Sequence, residues 1–151
     1  MKYFAAIVFV IFAAAGLSVM GQADADKEAI KRTALNYAEG WYEGNADKME
    51  SALSPDLAKR IVRTNDKGQS GLGQMTALSL VQGTRGGSGK QTPAAEQQKD
   101  VTILDVLGGA ATVKLEMRDW VDYMHIGKFN GKWVIINVLW EMKPKKDEKK
   151  N

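Results

Sequence analysis

The apolar positions of this chain change their period once, between its first and second halves. From Asp26 to Glu43 they recur as on a helix. Ile30, Ala34, Tyr37 and Trp41 fall at i, i+4, i+7 and i+11 and draw one stripe down a single face. Asp24 and Asp26 stand where a helix N-terminus favours carboxylates, and Gly44-Asn45 closes the segment. Asn45 or Asp47 can cap a short second helix carrying Met49 and Leu53, which Pro55 stops. Leu57 to Val62 predicts a short strand and Thr64 to Gly68 a turn. Leu72, Met75, Leu78 and Val81 predict a third helix.

Beyond a glycine-rich loop, Gly83 to Pro93, the period becomes that of strands. Four are predicted: Val101 to Leu107, Ala110 to Arg118, Val121 to Phe129 and Lys132 to Met142. Val113, Leu115 and Met117 alternate with Lys114, Glu116 and Arg118, so one face is buried and the other wet. Asn130-Gly131 readily supplies the two positive φ angles of a type I′ hairpin turn. Trp133 to Trp140 is apolar on both faces, which places that strand near the middle of a sheet. Helices first and a bent meander last make an α+β domain of order α-α-β-α-β-β-β-β, a curved, mostly antiparallel sheet under three N-terminal helices. No repeat or second domain is visible.

Residues 1–25 stand apart from that pattern. Lys2 precedes an uncharged apolar run from Tyr3 to Val19, and Ala23-Asp24-Ala25 offers the small-x-small motif of a signal peptidase site. The expectation is a cleaved signal, a periplasmic or secreted protein, and no stable membrane anchor after cleavage. The chain has no Cys, so neither a lipidated anchor nor a disulfide contributes. Of 21 basic and 18 acidic residues, Lys2 and Asp24 leave with the signal. Residues 143–151 hold five Lys against Asp147 and Glu148, so the folded body balances at 15 against 15. The basic pI of about 9.0 therefore reports a lysine-rich tail, read as disordered over 144–151, and gives no reason to expect nucleic acid as a partner. The domain proper is 26–143.

Few residues suggest chemistry. Asp122 alternates with Met124 and Ile126 on one strand face, and a carboxyl among apolar groups is expected to hold its proton. Arg60 would favour an anionic ligand if it faced the interior; Lys59 and Ile61 are equally plausible inward neighbours. His125, the one histidine, falls on the face opposite Asp122 and is expected to be packed or at an interface. Without Cys or a second His the usual zinc site cannot be built, and no metal or cofactor is expected. Gly83-Thr-Arg-Gly-Gly-Ser-Gly-Lys90 is one residue too long for a phosphate loop, with Gln91 where Ser or Thr should bind magnesium. It is read as a flexible loop able to cover a pocket mouth.

Three segments together resemble the nuclear transport factor 2-like superfamily, in its putative lumazine-binding branch. They are Tyr37-Ala-Glu-Gly-Trp-Tyr-Glu-Gly-Asn45, Met49-Glu-Ser-Ala-Leu-Ser-Pro-Asp-Leu-Ala-Lys-Arg60, and Asp122-Tyr with Asn130-Gly-Lys-Trp133. The resemblance runs from about Glu28 to Lys143, with Ser54 where the branch often has His. It implies a SnoaL-like cone: a curved sheet wrapping the first helix, a pocket between them, and a homodimer packed sheet to sheet. In the ketosteroid isomerase-like members a helix Tyr and a strand Asp donate to an oxyanion. Tyr37 and Asp122 match those two positions here. The general base has no match, since its place falls around Arg60 and Ile61, so an unidentified small molecule held by Tyr37, Trp41, Arg60, Asp122 and Met124 is the reading preferred to catalysis. An open interior would favour ligand binding. One filled by Trp41, Met75 and Leu78 would favour a structural or partner-binding domain.

Overall fold

The computed structural model describes residues 4–144, with side chains from Gly21 onward. Helix α1 spans Phe4–Glu43 and α2 spans Ala46–Ala52; strands β1 (Leu53–Thr64) and β2 (Ser70–Thr76) follow, then α3 (Ala77–Arg85). A single 3-10 turn, Ala94–Glu96, leads into β3 (Lys99–Leu107), β4 (Ala110–Met117), β5 (Trp120–Phe129) and β6 (Lys132–Met142). The lysine-rich tail beyond Pro144 lies outside the described residues. Among those described, no helix is long and apolar enough to cross a membrane.

The six strands form one sheet in the order β2-β1-β6-β5-β4-β3, antiparallel except where β1 lies parallel to β6. The two-faced apolar strand, β6, is central as its composition requires. The β1–β6 register shifts between Leu53 and Ala58, a stretch containing Pro55, which has no N–H to give to a ladder. At the β5–β6 hairpin Asn130 and Gly131 take φ of 49° and 82°, the left-handed pair that a type I′ turn demands.

Register decides which side chains share a face. Lys59 pairs with Val138, Val138 with Met124, and Met124 with Val113, so these four form one inward row. Trp140, Asp122 and Leu115 form the adjacent row. Against this concave face α1 presents Ile30, Ala34, Tyr37 and Ala38, all buried. The convex face carries Arg60, Leu139, Tyr123 and His125, together with Val62 and Leu72 on the outer strands. Leu72, Val62, Leu139 and Tyr123 are 61%, 50%, 56% and 47% exposed, so this face leaves apolar surface in water.

The order differs from expectation by one strand. Leu72 and Met75, read as helical, belong to β2. Gly71 and Gly73 disfavour a helix, and Gly73 lets the strand lie close on the Ile61 side chain. The helix begins only at Ala77, where Thr76 caps it and Ser79 returns the bond in a capping box. Asp24 and Asp26 are not at a helix start, because α1 begins far upstream. Asp26 instead accepts from Lys128 Nζ at 2.7 Å and Trp133 Nε1 at 3.0 Å, tying α1 to the β5–β6 hairpin. His125 is exposed rather than packed. Asn45 does cap α2, its side chain accepting from the Lys48 N–H at 3.0 Å.

Candidate functional site

Where α1 ends above the concave face, a cavity of about 690 Å³ opens. Tyr37 and Trp41 come from consecutive turns of α1, Lys59 from β1, Met75 from β2, Leu80 from α3, and Trp120 and Trp140 from β5 and β6. The exposed Arg118 and Asp119 of the β4–β5 bend, with Met142, Lys143 and Pro144 at the end of β6, complete its lining. The interior is therefore open. Leu78, expected to help fill it, is 65% exposed on the far side of its short helix.

Three indoles build the walls. Trp120 meets Trp41 edge to face with centroids 5.8 Å apart, and meets Trp140 in the same manner at 6.3 Å. Tyr42 fixes the surround: its hydroxyl donates to the Gln98 carbonyl at 2.9 Å and accepts from the Arg118 N–H at 3.0 Å. This pair of hydrogen bonds holds the Arg118–Trp120 bend against the helix end. Trp140 Nε1 is a buried donor without an acceptor among the described residues.

The floor is polar and charged. Lys59 alternates along β1 with Leu57 and Ile61, all three buried, which turns its four-carbon stem inward. Its Nζ donates to the Tyr37 hydroxyl at 2.7 Å and to Asp122 Oδ1. The second Asp122 oxygen accepts from Trp120 Nε1 at 2.9 Å. The ammonium also lies 4.9, 5.3 and 5.9 Å from the ring centroids of Trp140, Tyr37 and Trp120. Burial pushes the Lys59 pKa below that of an ordinary lysine, and the Asp122 charge opposes this. Burial, then the same carboxylate, raises the Tyr37 hydroxyl well above its usual value, so it is a neutral phenol and no base. An ammonium has three donors and two are engaged here, leaving one for an acceptor in the cavity.

The expected site residues divide. Tyr37 and Trp41 line the cavity. Asp122 is fully buried beneath Lys59 and does not line it. Nor is Asp122 placed as a protonated donor, because both its oxygens accept, one from an ammonium and one from an indole. This removes the pairing of Tyr37 and Asp122 as joint oxyanion donors. Arg60 falls on the convex face, paired in register with Gln74 and Leu139, and cannot meet a ligand inside. Met124 is fully buried between Val113 and Val138 and belongs to the core. The residue not singled out for the site is Lys59. Its sequence signal was the Leu57-x-Lys59-x-Ile61 alternation, which Ala58-x-Arg60-x-Val62 blurs in the opposite phase.

Similarity to known proteins agrees with this architecture. A nuclear transport factor 2-like protein with a cystatin-like fold from Novosphingobium aromaticivorans DSM superposes with a TM-score of 0.65 at 11% identity, over 87% of this chain and 90% of its own. A nuclear transport factor 2-like protein of unknown function from Shewanella baltica OS155 gives 0.57 at 17% identity, covering 79% and 94%. A putative scytalone dehydratase from Novosphingobium aromaticivorans DSM 12444 gives 0.55 at 12%, covering 83% and 89%. At such identities the likeness is one of fold alone. No curated protein matches. The family model described as putative lumazine-binding matches residues 25–141, and the chain thus belongs to that nuclear transport factor 2-like family.

Proposed function

We propose that this chain is an exported binding protein for a small, flat, partly aromatic molecule carrying a hydrogen-bond acceptor. The observation that carries the reading is the buried Lys59, held by Tyr37 and Asp122 at the floor of an open, tryptophan-walled cavity. A filled structural core would have no use for an ammonium there, since burying a charge costs several kcal/mol even when it is paired, roughly. Indole walls favour a planar ring system, and the spare Lys59 N–H favours a carbonyl or carboxylate at its inner edge. Lumazine, the molecule in the family's name, is of this class: bicyclic, planar and bearing carbonyls.

Export is supported by residues 1–25 and by the position of the first tertiary contacts. Among the described side chains, residues 21–25 are exposed and Asp26 is the first bonded to the sheet, so cleavage after Ala25 spares the described hydrogen bonds between α1 and the sheet. The mass of protein recovered from an export-competent host tests this, and an intact Met1 contradicts it. The convex apolar strip of Leu72, Val62, Leu139 and Tyr123 supports a sheet-to-sheet homodimer. Light scattering should give twice the monomer mass and return to the monomer in Leu139→Asp.

The binding reading is tested by quenching of tryptophan fluorescence with lumazine and with 2-naphthoate. Saturable quenching is expected for at least one, weakened in Trp120→Ala. No quenching by either at millimolar concentration defeats it.

A further inference from the structure

We propose that Lys59 forms a Schiff base with aldehydes and ketones admitted to the cavity, holding them as an iminium whose counter-ion is Asp122. This rests on the reading of the cavity as a small-molecule site and names the ligand class: planar, conjugated carbonyl compounds. Lys59 is the one buried lysine among the described residues, at 3% exposed. Its amine stands within 6 Å of the ring centres of Tyr37, Trp120 and Trp140, all of which line the cavity, so a carbonyl seated between the indoles meets Nζ.

The three groups needed for the step are in contact. Asp122 takes a proton from the ammonium, leaving a neutral amine whose lone pair attacks the carbonyl carbon. The C=O π pair moves to oxygen, which gains a proton from the Tyr37 hydroxyl, 2.7 Å from the amine. In the same transfer the Tyr37 hydroxyl receives a proton from the carbinolamine nitrogen, so it relays a proton and is never left as a phenolate. The nitrogen lone pair then expels the hydroxyl, to which Asp122 returns its proton, and water leaves through the open cavity. The balance is Lys–NH₃⁺ plus R₂C=O giving Lys–NH⁺=CR₂ plus H₂O. One positive charge stands beside Asp122 before and after, so the buried carboxylate never loses its partner. The same burial that disfavours the ammonium makes the neutral amine more accessible than on a surface lysine.

The test is reductive trapping of the full mature chain with 2-naphthaldehyde and sodium cyanoborohydride, followed by peptide mapping. One naphthylmethyl group per chain on Lys59 is expected, roughly tenfold or more above exposed lysines through proximity in the pocket. Excess 2-naphthoate should suppress it, and unfolding in urea should abolish the selectivity. The double variant Lys59→Met with Asp122→Leu removes the amine without stranding a buried charge and should lose the label. Label spread over exposed lysines with Lys59 unmodified, while 2-naphthoate still quenches tryptophan, overturns the Schiff base and leaves the binding reading standing. Loss of both overturns the two together.

Discussion

Replacing Asp122 with Leu removes the counter-ion of a buried ammonium, and the cost can be worked from the site. At an effective dielectric of about 20, an ideal ion pair near 2.8 Å is worth about 6 kcal/mol. Breaking such a pair by removing one partner costs about 3–5 kcal/mol in practice. Lys59 limits the loss by giving up its proton. Bringing an amine of ordinary pKa near 10.4 to neutrality at pH 7 takes about 4.6 kcal/mol, but at pH 9 only about 1.9. The sign follows: Lys59 already has a lowered native pKa and loses its one carboxylate, so the unfolded chain binds more protons than the native one. Stability then rises with pH from the depressed native pKa up to the unfolded value. Trp120 Nε1 also loses its acceptor, a further ~1–3 kcal/mol that does not depend on pH. Urea unfolding followed by circular dichroism is the assay, on wild type, Asp122→Leu, Lys59→Met and the double variant at pH 7 and 9. Asp122→Leu should be the most damaged at pH 7 and recover by about 2–3 kcal/mol at pH 9. The double variant should retain only the pH-independent losses, those of the Trp120 indole and of the Tyr37 hydroxyl, each without its partner. Additive single effects with no pH dependence would refute a buried charge pair.

Three further outcomes follow from the geometry. A Cβ on Gly89 would lie 2.2 Å from the Trp41 carbonyl oxygen and 2.5 Å from its ring, so Gly89→Ala should cost about 1–3 kcal/mol and alter the near-UV circular dichroism of the cavity wall. Asn45→Ala removes the cap of α2 and should cost about 1 kcal/mol in urea unfolding. The Asp26 carboxyl is held below its ordinary value by hydrogen bonds from Lys128 and then Trp133. It therefore adds stability that is present above pH 3.8 and lost as pH falls through its lower native value. Asp26→Asn should lower stability at neutral pH and flatten that acid limb, read by thermal unfolding between pH 2 and 7.

The features readable from the chain were those with local causes. The α1 stripe, the Asn130-Gly131 turn and the central β6 each follow from a period or a dipeptide that needs no distant partner. β2 was not readable, because Leu72 and Met75 at i and i+3 imitate a helix and only pairing with β1 gives Ser70–Thr76 its ladder. The site shows the same division. Tyr37 and Trp41 follow from the helix face. Lys59 and Arg60 are adjacent cations on one strand, and which of them enters the cone depends on a carboxylate 63 residues away, Asp122. Asp122 itself looked like an isolated acid among apolar neighbours for the same reason: its partner lies on another strand. His125 lies opposite Asp122, as the strand alternation requires, and is exposed on the convex face of the single chain.

The central claim is that the cavity above Lys59 holds a planar acceptor ligand. The indole N–H resonances of the four tryptophans test it most directly, in a ¹⁵N-labelled chain titrated with 2-naphthoate. Trp41, Trp120 and Trp140 line the cavity, whereas Trp133 is buried against Asp26 and serves as an internal control. Saturable shifts of the first three are expected, with Trp133 unmoved. Four unmoved indoles, or Trp133 moving as much as the rest, would contradict it.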